Sequence, residues 1–373
     1  MATAAAPTEE SVQGVSYWTI VRRQFRRDRL AMAGTAVIGI LVLVALLAPL
    51  LANDRPIVMK FRGRLLFPAF PTYLDSFPVP AFALNPLRRR FPLFSNHYAE
   101  LEGRTFKEAV REIAAGKGRP GDWALMPPVP YGFAEINSRE IKAREGEKGH
   151  FLGTDDNGSD ILARMIHGTI ISLSVGIVAV SIYVVIGVVL GSLAGYFGGW
   201  VDLLISRLIE IMICFPTFFL IITIIAFLPR SIYNIMIVIG ITGWPGVARM
   251  IRGEMLKAKT LDYVIASRAL GMPSSVTIFR HLLPNTVAPV FVQATFGIAS
   301  AILVESSLSF LGFGVAPPTP SWGEIVSQGR IYTPEGLYHL VIWPGLAICL
   351  TLIAFNLAGQ GLRDAMDPRL RDA

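Results

Sequence analysis

Charge is scarce in this chain of 373 residues. Asp, Glu, Lys and Arg make up 16% of it, where a soluble domain usually carries about 25%. Cysteine is nearly absent. Cys214 and Cys349 both lie inside apolar runs, which reads as two small buried hydrophobes and excludes a disulfide framework. His97, His150, His167, His281 and His339 are scattered, which argues against a zinc centre. No GxxxxGK[ST] loop occurs, so the chain should not itself hydrolyse ATP. HExxH, CxxC and GxSxG are missing too, leaving no enzyme chemistry and no bound cofactor or metal to expect. A cleavable signal peptide is not evident, since the first apolar run is long enough to span and lacks a clear cleavage site. No internal repeat is obvious.

What is abundant is apolar sequence, at 53% of residues, and it comes in runs. Spanning a bilayer takes about 20 mostly apolar residues. Six segments qualify or come close: 30–51, 168–194, 205–228, 232–249, 286–311 and 339–360. The expected fold class is therefore an all-α polytopic membrane protein with six transmembrane helices. The formal charge of +7 does not indicate nucleic acid, because the basic residues lie beside spans or in one loop. Arg22, Arg23, Arg26, Arg27 and Arg29 precede the first span and place residues 1–29 in the cytoplasm. They read either as a plain topological anchor or as an amphipathic helix on the lipid surface. Six passes then return the tail, 362–373, to the cytoplasm.

Residues 52–150 are set apart as an extracytoplasmic insertion, too long for a plain connection. Sixteen Lys/Arg against eleven Asp/Glu sit awkwardly outside, although long loops translocate largely regardless of charge. TFKEAVREIAAGKG reads as a short helix ending at glycine. FPTYLDSFPVP and WALMPPVPYG read as irregular coil. The insertion is either a cap that meets a partner or a stabilising element without a separate role. Next, GTDDNGSD places Asp155, Asp156, Asn157 and Asp160 close together. Its spacing fails an EF-hand, and a turn into a helix capped by Ser159 or Asp160 explains the same residues.

Within the five-helix core, 151–361, four residues stand out. Arg207 and Glu210 are three apart and can pair on one helical face. Pro216 should kink the third span, as a moving part or as a bent wall. Glu305 is an ionisable residue at the outer edge of the fifth span, a functional candidate unless it simply reaches headgroup water. Gly187 and Gly191 have GxxxG spacing.

The most informative stretch is 249–285. Arg249, Arg252, Lys257, Lys259, Arg268 and Arg280 face only Glu254 and Asp262. A charged segment of this kind must emerge into water, and its sign puts that water in the cytoplasm. The run from Thr260 through Leu261, Asp262 and Tyr263 reads as a helix start. Gly271 is placed as a left-handed C-cap, and Pro273 forbids continuation. Ser274 or Ser275 can cap a second helix running to Leu283, with Pro284 at the entry to span five. Two short helices joined by a tight turn suit docking to a soluble partner. A DNA-reading helix-turn-helix is excluded by its tethering to spans at both ends.

These residues resemble the EAA loop of ABC-importer permeases: Glu-Ala-Ala, three residues, Gly, nine residues, Ile, one residue, Leu-Pro. Ala266, Gly271, Leu283 and Pro284 match, while Ile265, Ser267 and His281 depart. The longer string SRALGMPSSVTIFRHLLPN looks like the dipeptide/oligopeptide/nickel branch. So do GTDDNGSD, with Ser159 replacing the usual arginine, GYFGGWVD, the Phe215-Pro216 pair, ESSLSFLGFG and RDAMDPR. The insertion is most similar to the long-insert subclass that includes microcin C and oligopeptide permeases. The resemblance implies a C-type permease with the MetI-like type I importer fold, in the bacterial inner membrane. It implies a sister B-type permease, two cytoplasmic ATPase subunits that bind ATP and Mg, and an extracytoplasmic solute-binding protein. Leu261, Asp262, Tyr263, Ala266, Ser267, Ala269, Leu270, Gly271, Pro273, Leu283 and Pro284 would form the ATPase-coupling loop. Two other readings remain open: an ion-coupled secondary transporter and a membrane-anchored scaffold.

Overall fold

A computed structural model describes residues 17–78, 101, 104–138 and 140–367. The N-terminal arm is helical over α1 (Tyr17–Arg27), followed by α2 (Arg29–Leu51). Asp28 separates them because its carboxylate caps α2, accepting from the N–H groups of Leu30 (2.9 Å) and Ala31 (3.1 Å). The core then runs through α5 (Ile161–Phe197), α6 (Gly199–Cys214), α7 (Thr217–Ala226) and α8 (Ile232–Ala258). After a loop come α11 (Ala288–Phe310), α12 (Trp322–Tyr332) and α13 (His339–Met366).

Five of these helices are long and apolar enough to cross a bilayer. The six-span expectation is met by counting α6 and α7 together, with one correction. Pro216 does more than kink a helix, since α6 and α7 meet at 81°. Phe215 is extended, at ψ 130°, because the residue before proline is pushed out of the helical region. A second correction concerns length. The 37 residues of α5 measure about 55 Å, well beyond the roughly 30 Å of a hydrocarbon core. Likewise α8 does not stop near residue 249 but carries its helix to Ala258, and α13 continues to Met366.

The centre of the core is the contact of α5 with α8. A Cβ added at Gly187 would lie 2.6 Å from the Val247 side chain. At Gly191 it would lie 2.5 Å from the Ala248 carbonyl, and at Gly195 2.5 Å from the Met255 side chain. The three glycines form a stripe into which α8 settles, which is how helices pack closely where apolar burial gives no preference over lipid. Ile235, Ile239, Val247, Ile251 and Met255 are buried around it. On the other flank, Gly34 of α2 meets the Ala354 carbonyl of α13, and Gly361 meets Ala31.

The elements define two ends. α1, the C-terminus of α13 and the 259–287 connection lie at one. The insertion and α12 lie at the other, joined to the N-terminus of α5. Both described termini are therefore on the same side as the loop.

The described part of the insertion holds a small sheet that the expectation of irregular coil did not include. β1 (Val58–Phe61), β2 (Arg64–Leu66) and β3 (Trp123–Leu125) form an antiparallel sheet ordered β2-β1-β3. FPTYLDS is helical as α3 (Phe70–Ser76) and WAL is a strand. β1 and β2 are a hairpin closed by Arg62 and Gly63, both at positive φ, whereas β3 pairs with β1 from far along the chain. The anticipated helix is present as α4 (Phe106–Ala114), closed by a Thr105/Glu108 capping box. Met59, Phe61, Leu66, Leu101, Phe106 and Ala109 make a separate small core. Cys214 and Cys349 are exposed on helix surfaces, not buried, because they occupy outward faces of apolar helices.

Gly191→Val should force α5 and α8 apart at an overpacking cost of about 1–3 kcal/mol. A lower unfolding temperature of the purified protein in detergent checks this, with Gly39→Val, which meets nothing within 4 Å, as the control.

Candidate functional site

At the loop end, α9 (Asp262–Ala269) is a rigid two-turn helix. Leu261 is extended before it, and Asp262 sits in its first turn, where the helix dipole favours a negative charge. The other end is closed as foreseen. Gly271 has φ +73°, its N–H reaches the Arg268 carbonyl at 2.9 Å, and the Met272 N–H reaches the Ser267 carbonyl at 3.2 Å. This is the Schellman arrangement, and its left-handed residue is why glycine stands there.

The second helix departs from expectation. α10 spans Ser274–Val276, a π-helical stretch at Thr277–Leu282, and Leu283–Thr286. Its N-cap is Pro273, and neither Ser274 nor Ser275 caps it. Pro284 falls in the first turn of the last segment, where its missing N–H is tolerated. The helix therefore runs past Leu283 toward α11.

Val264 and Ser267 of α9 are buried against Thr277, Ile278 and Leu282. The departure at Ser267 has a visible consequence. Its hydroxyl lies 3.1 Å from Met272 Sδ and 3.3 Å from Thr277 Oγ1, bridging the turn. The rest of the element is open: Leu261, Tyr263, Ile265, Leu270 and Phe279 are exposed, Leu270 by 82%, together with Asp262 and Arg268. Ala266, Ala269, Pro273 and Pro284 are exposed as well. Exposed apolar residues on a stiff projecting element mark an interaction surface.

Residues not singled out from the sequence fasten this element to the core. The Arg268 guanidinium lies 4.5 Å above the Tyr196 ring, and Lys259 Nζ donates to the Gly195 carbonyl at 3.1 Å. Arg252 grips Asp202 with two nitrogens, Nη2 to Oδ2 at 2.8 Å. Tyr196, Gly195 and Asp202 all come from GYFGGWVD. The string was visible, but its role depends on α5 and α8 ending side by side.

A second cluster occupies the insertion end. Arg164, 5% exposed in its side chain, donates to Asp155, to Glu324 at 2.6 Å and to Gln328 at 2.9 Å. His150 lies between Asp160 (2.7 Å) and Glu140 (3.0 Å). Asp156 accepts from Tyr332 at 2.9 Å. Burial pushes the Glu324 carboxyl above its ordinary range, and Arg164 beside it pulls it back. Burial likewise raises Asp160, opposed by the Ala163 N–H and by His150. Of the two expected caps, Asp160 performs the role, accepting from Ala163 at 2.7 Å. The acidic run is thus occupied by an arginine, a histidine and a tyrosine. Among the described residues no group of three His, Cys, Asp or Glu is arranged to hold a metal.

The other candidates separate. Arg207 and Glu210 pair at 2.5 Å on an exposed face, and Pro216 marks the break between α6 and α7. Neither meets the loop or the insertion cluster. Glu305 is fully buried, which corrects the headgroup reading. Ser309 donates to it at 2.7 Å, and α12 covers it, with Gly323 packed on Ser306.

The geometry describes a helical membrane protein with a stiff, apolar-faced docking element at one end and a locked insertion at the other. The family model described as binding-protein-dependent transport system inner membrane component matches residues 187–372. The model described as N-terminal TM domain of oligopeptide transport permease C matches residues 16–67. A dipeptide transport system permease protein of Alkalihalophilus pseudofirmus is 40% identical over 64% of this chain and 78% of its own length. An oligopeptide transport system permease protein of Haemophilus influenzae is 39% identical over 73% and 91%. A peptidoglycan transport system permease protein of Agrobacterium fabrum is 30% identical over 98% and 97%. The chain belongs to the binding-protein-dependent transport system inner membrane component family, as a multi-pass permease subunit of an ABC importer.

Arg164→Met should leave Asp155 and Glu324 buried without their cation, a loss of about 3–5 kcal/mol. Thermal unfolding should show the deficit at neutral pH. It should narrow as pH falls, because protonation removes the uncompensated charge.

Proposed function

We propose that this chain forms half of the translocation pore of a peptide-class importer. A sister B-type permease supplies the other half, two ATPase subunits bind ATP and Mg, and an extracytoplasmic solute-binding protein delivers cargo. The loop end and both termini face the cytoplasm, in keeping with the arginines of α1 and the basic 249–285 stretch. The supporting observation is the coupling element itself, whose apolar face is open and whose back is tied to α5 and α8. ATP-driven closure of the ATPases pushes on Leu261, Tyr263, Ile265 and Leu270. The push reaches the spans because α9 is capped, bridged by Ser267 and pinned by Arg268, so little of it is lost in bending.

The relatives named for dipeptide and oligopeptide transport point to peptide cargo. The Agrobacterium relative also spans the insertion, so peptides of cell-wall origin are the first cargo to test. In this reading the 52–150 insertion meets the solute-binding protein, and deleting it should abolish stimulation of ATPase activity by that protein.

Gly271→Val should insert and assemble normally yet couple poorly. Its Cβ would meet nothing within 4 Å, so only backbone strain of about 1–2 kcal/mol acts. Leu270→Asp should weaken binding of the ATPases directly. Uptake per ATP hydrolysed by the reconstituted complex, together with ATPase retention on purification, reads both. Normal values for both variants would overturn the proposal.

A further inference from the structure

We infer that the crevice between α1 and the spans is a binding site for an anionic phospholipid. α1 carries Arg22, Arg23, Arg26 and Arg27, and Arg29 follows. Among the described residues none of the five has a carboxylate partner within salt-bridge distance, and Asp28, the acid between Arg27 and Arg29, is committed to capping α2. Arg22 with Arg26 and Arg23 with Arg27 are four apart, so each pair repels along its helix face. A fixed anion would relieve both.

Beside these charges is an apolar crevice of about 290 Å³. Trp18, Val21 and Phe25 of α1 form one wall, Thr295 of α11 and Ala358 and Leu362 of α13 the others, and Arg22 stands at its edge. Trp18 meets Phe291 edge to face at 6.0 Å. α1 therefore packs sideways on α11 and α13 and does not extend the axis of α2. Because the apolar run of α2 begins at Leu30, this places α1 at headgroup depth, where tryptophan is at home. An acyl chain fits the apolar wall while phosphate meets the guanidinium groups, which bind it bidentately. A zwitterionic lipid fills the crevice equally well but brings an ammonium toward the arginines. Charge complementarity selects the anionic class.

The site rests on the membrane placement of the family and is independent of cargo or coupling. The test uses the assembled transporter in nanodiscs of phosphatidylcholine containing a minor share of phosphatidylglycerol. Lipid retained after detergent extraction is measured by native mass spectrometry. The wild type should retain phosphatidylglycerol in preference to phosphatidylcholine. Arg22→Gln with Arg26→Gln should weaken that retention roughly thirtyfold, about tenfold or less per charge removed. Thr295→Trp, which fills the crevice and leaves the charges, should lower it as well. Water-soluble glycerophosphoglycerol should not compete, because it lacks the chains. Equal retention of the two lipids, wild-type retention by the double variant, or occupation of the crevice by residues 1–16 seen through cross-linking from Thr295→Cys would overturn the inference. Uptake is not part of the readout, so failure here is distinct from failure of the transport proposal.

Discussion

The close approach of α5 and α8 along Gly187, Gly191 and Gly195 governs the rest of the molecule. In hydrocarbon, apolar side chains gain little by leaving lipid for protein, so helices associate where their shapes allow dense contact. The glycine stripe provides that shape over about 12 Å of helix, toward the end where α5 and α8 meet the loop. It also fixes where the two helices end. Tyr196 and Asp202 on one side, and Arg252 and Lys259 on the other, come into register only because the backbones lie this close. The α9–α10 element is attached to that joint through Lys259 and Arg268.

A different rule operates at the insertion end. Arg164, Asp155 and Glu324 are removed from water, and such clusters contribute specificity more readily than stability. Each member has a partner, so the arrangement tolerates one geometry of α12 over the start of α5. His150, between Asp160 and Glu140, extends the same lock into the insertion. Trp343 reaches Glu145 at 2.6 Å and Lys142 reaches Glu335 at 2.7 Å, which tie the insertion to the start of α13 and to the loop before it. The insertion is therefore continuous with the permease on this side, although its sheet has a core of its own.

Helix existence was legible wherever apolar runs exceeded the bilayer requirement, and charge alone placed the loop. Capping chemistry was legible at Asp160 and Gly271, because each acts on atoms a few residues away. It failed at Ser274, where Pro273 already sets the entry angle and the serine hydroxyl is not needed. β3 could not be read locally because Val58 and Leu125 pair across a long stretch of chain, whereas the β1–β2 hairpin turns on Arg62 and Gly63 and was a local signal left unread. Glu305 was misplaced for a related reason. Its position near a helix end suggested water, whereas Gly323 of α12 closes over the neighbouring Ser306.

The amino-acid sequence by itself determined the class of protein, the apolar runs that become long helices, the basic stretch after α8 and the family, because these follow from local composition, spacing and short motifs. The tertiary structure decided which of those residues act together. Arg252 and Arg268 were two charges in a basic stretch until α6 supplied Asp202 and α5 supplied Tyr196 as their partners. The acidic run before α5 already read as a turn into a capped helix, and packing added Arg164 and, from α12, Tyr332 as its partners. Both outcomes depend on groups distant in sequence brought within hydrogen-bond reach, and only packing of the helices sets that distance.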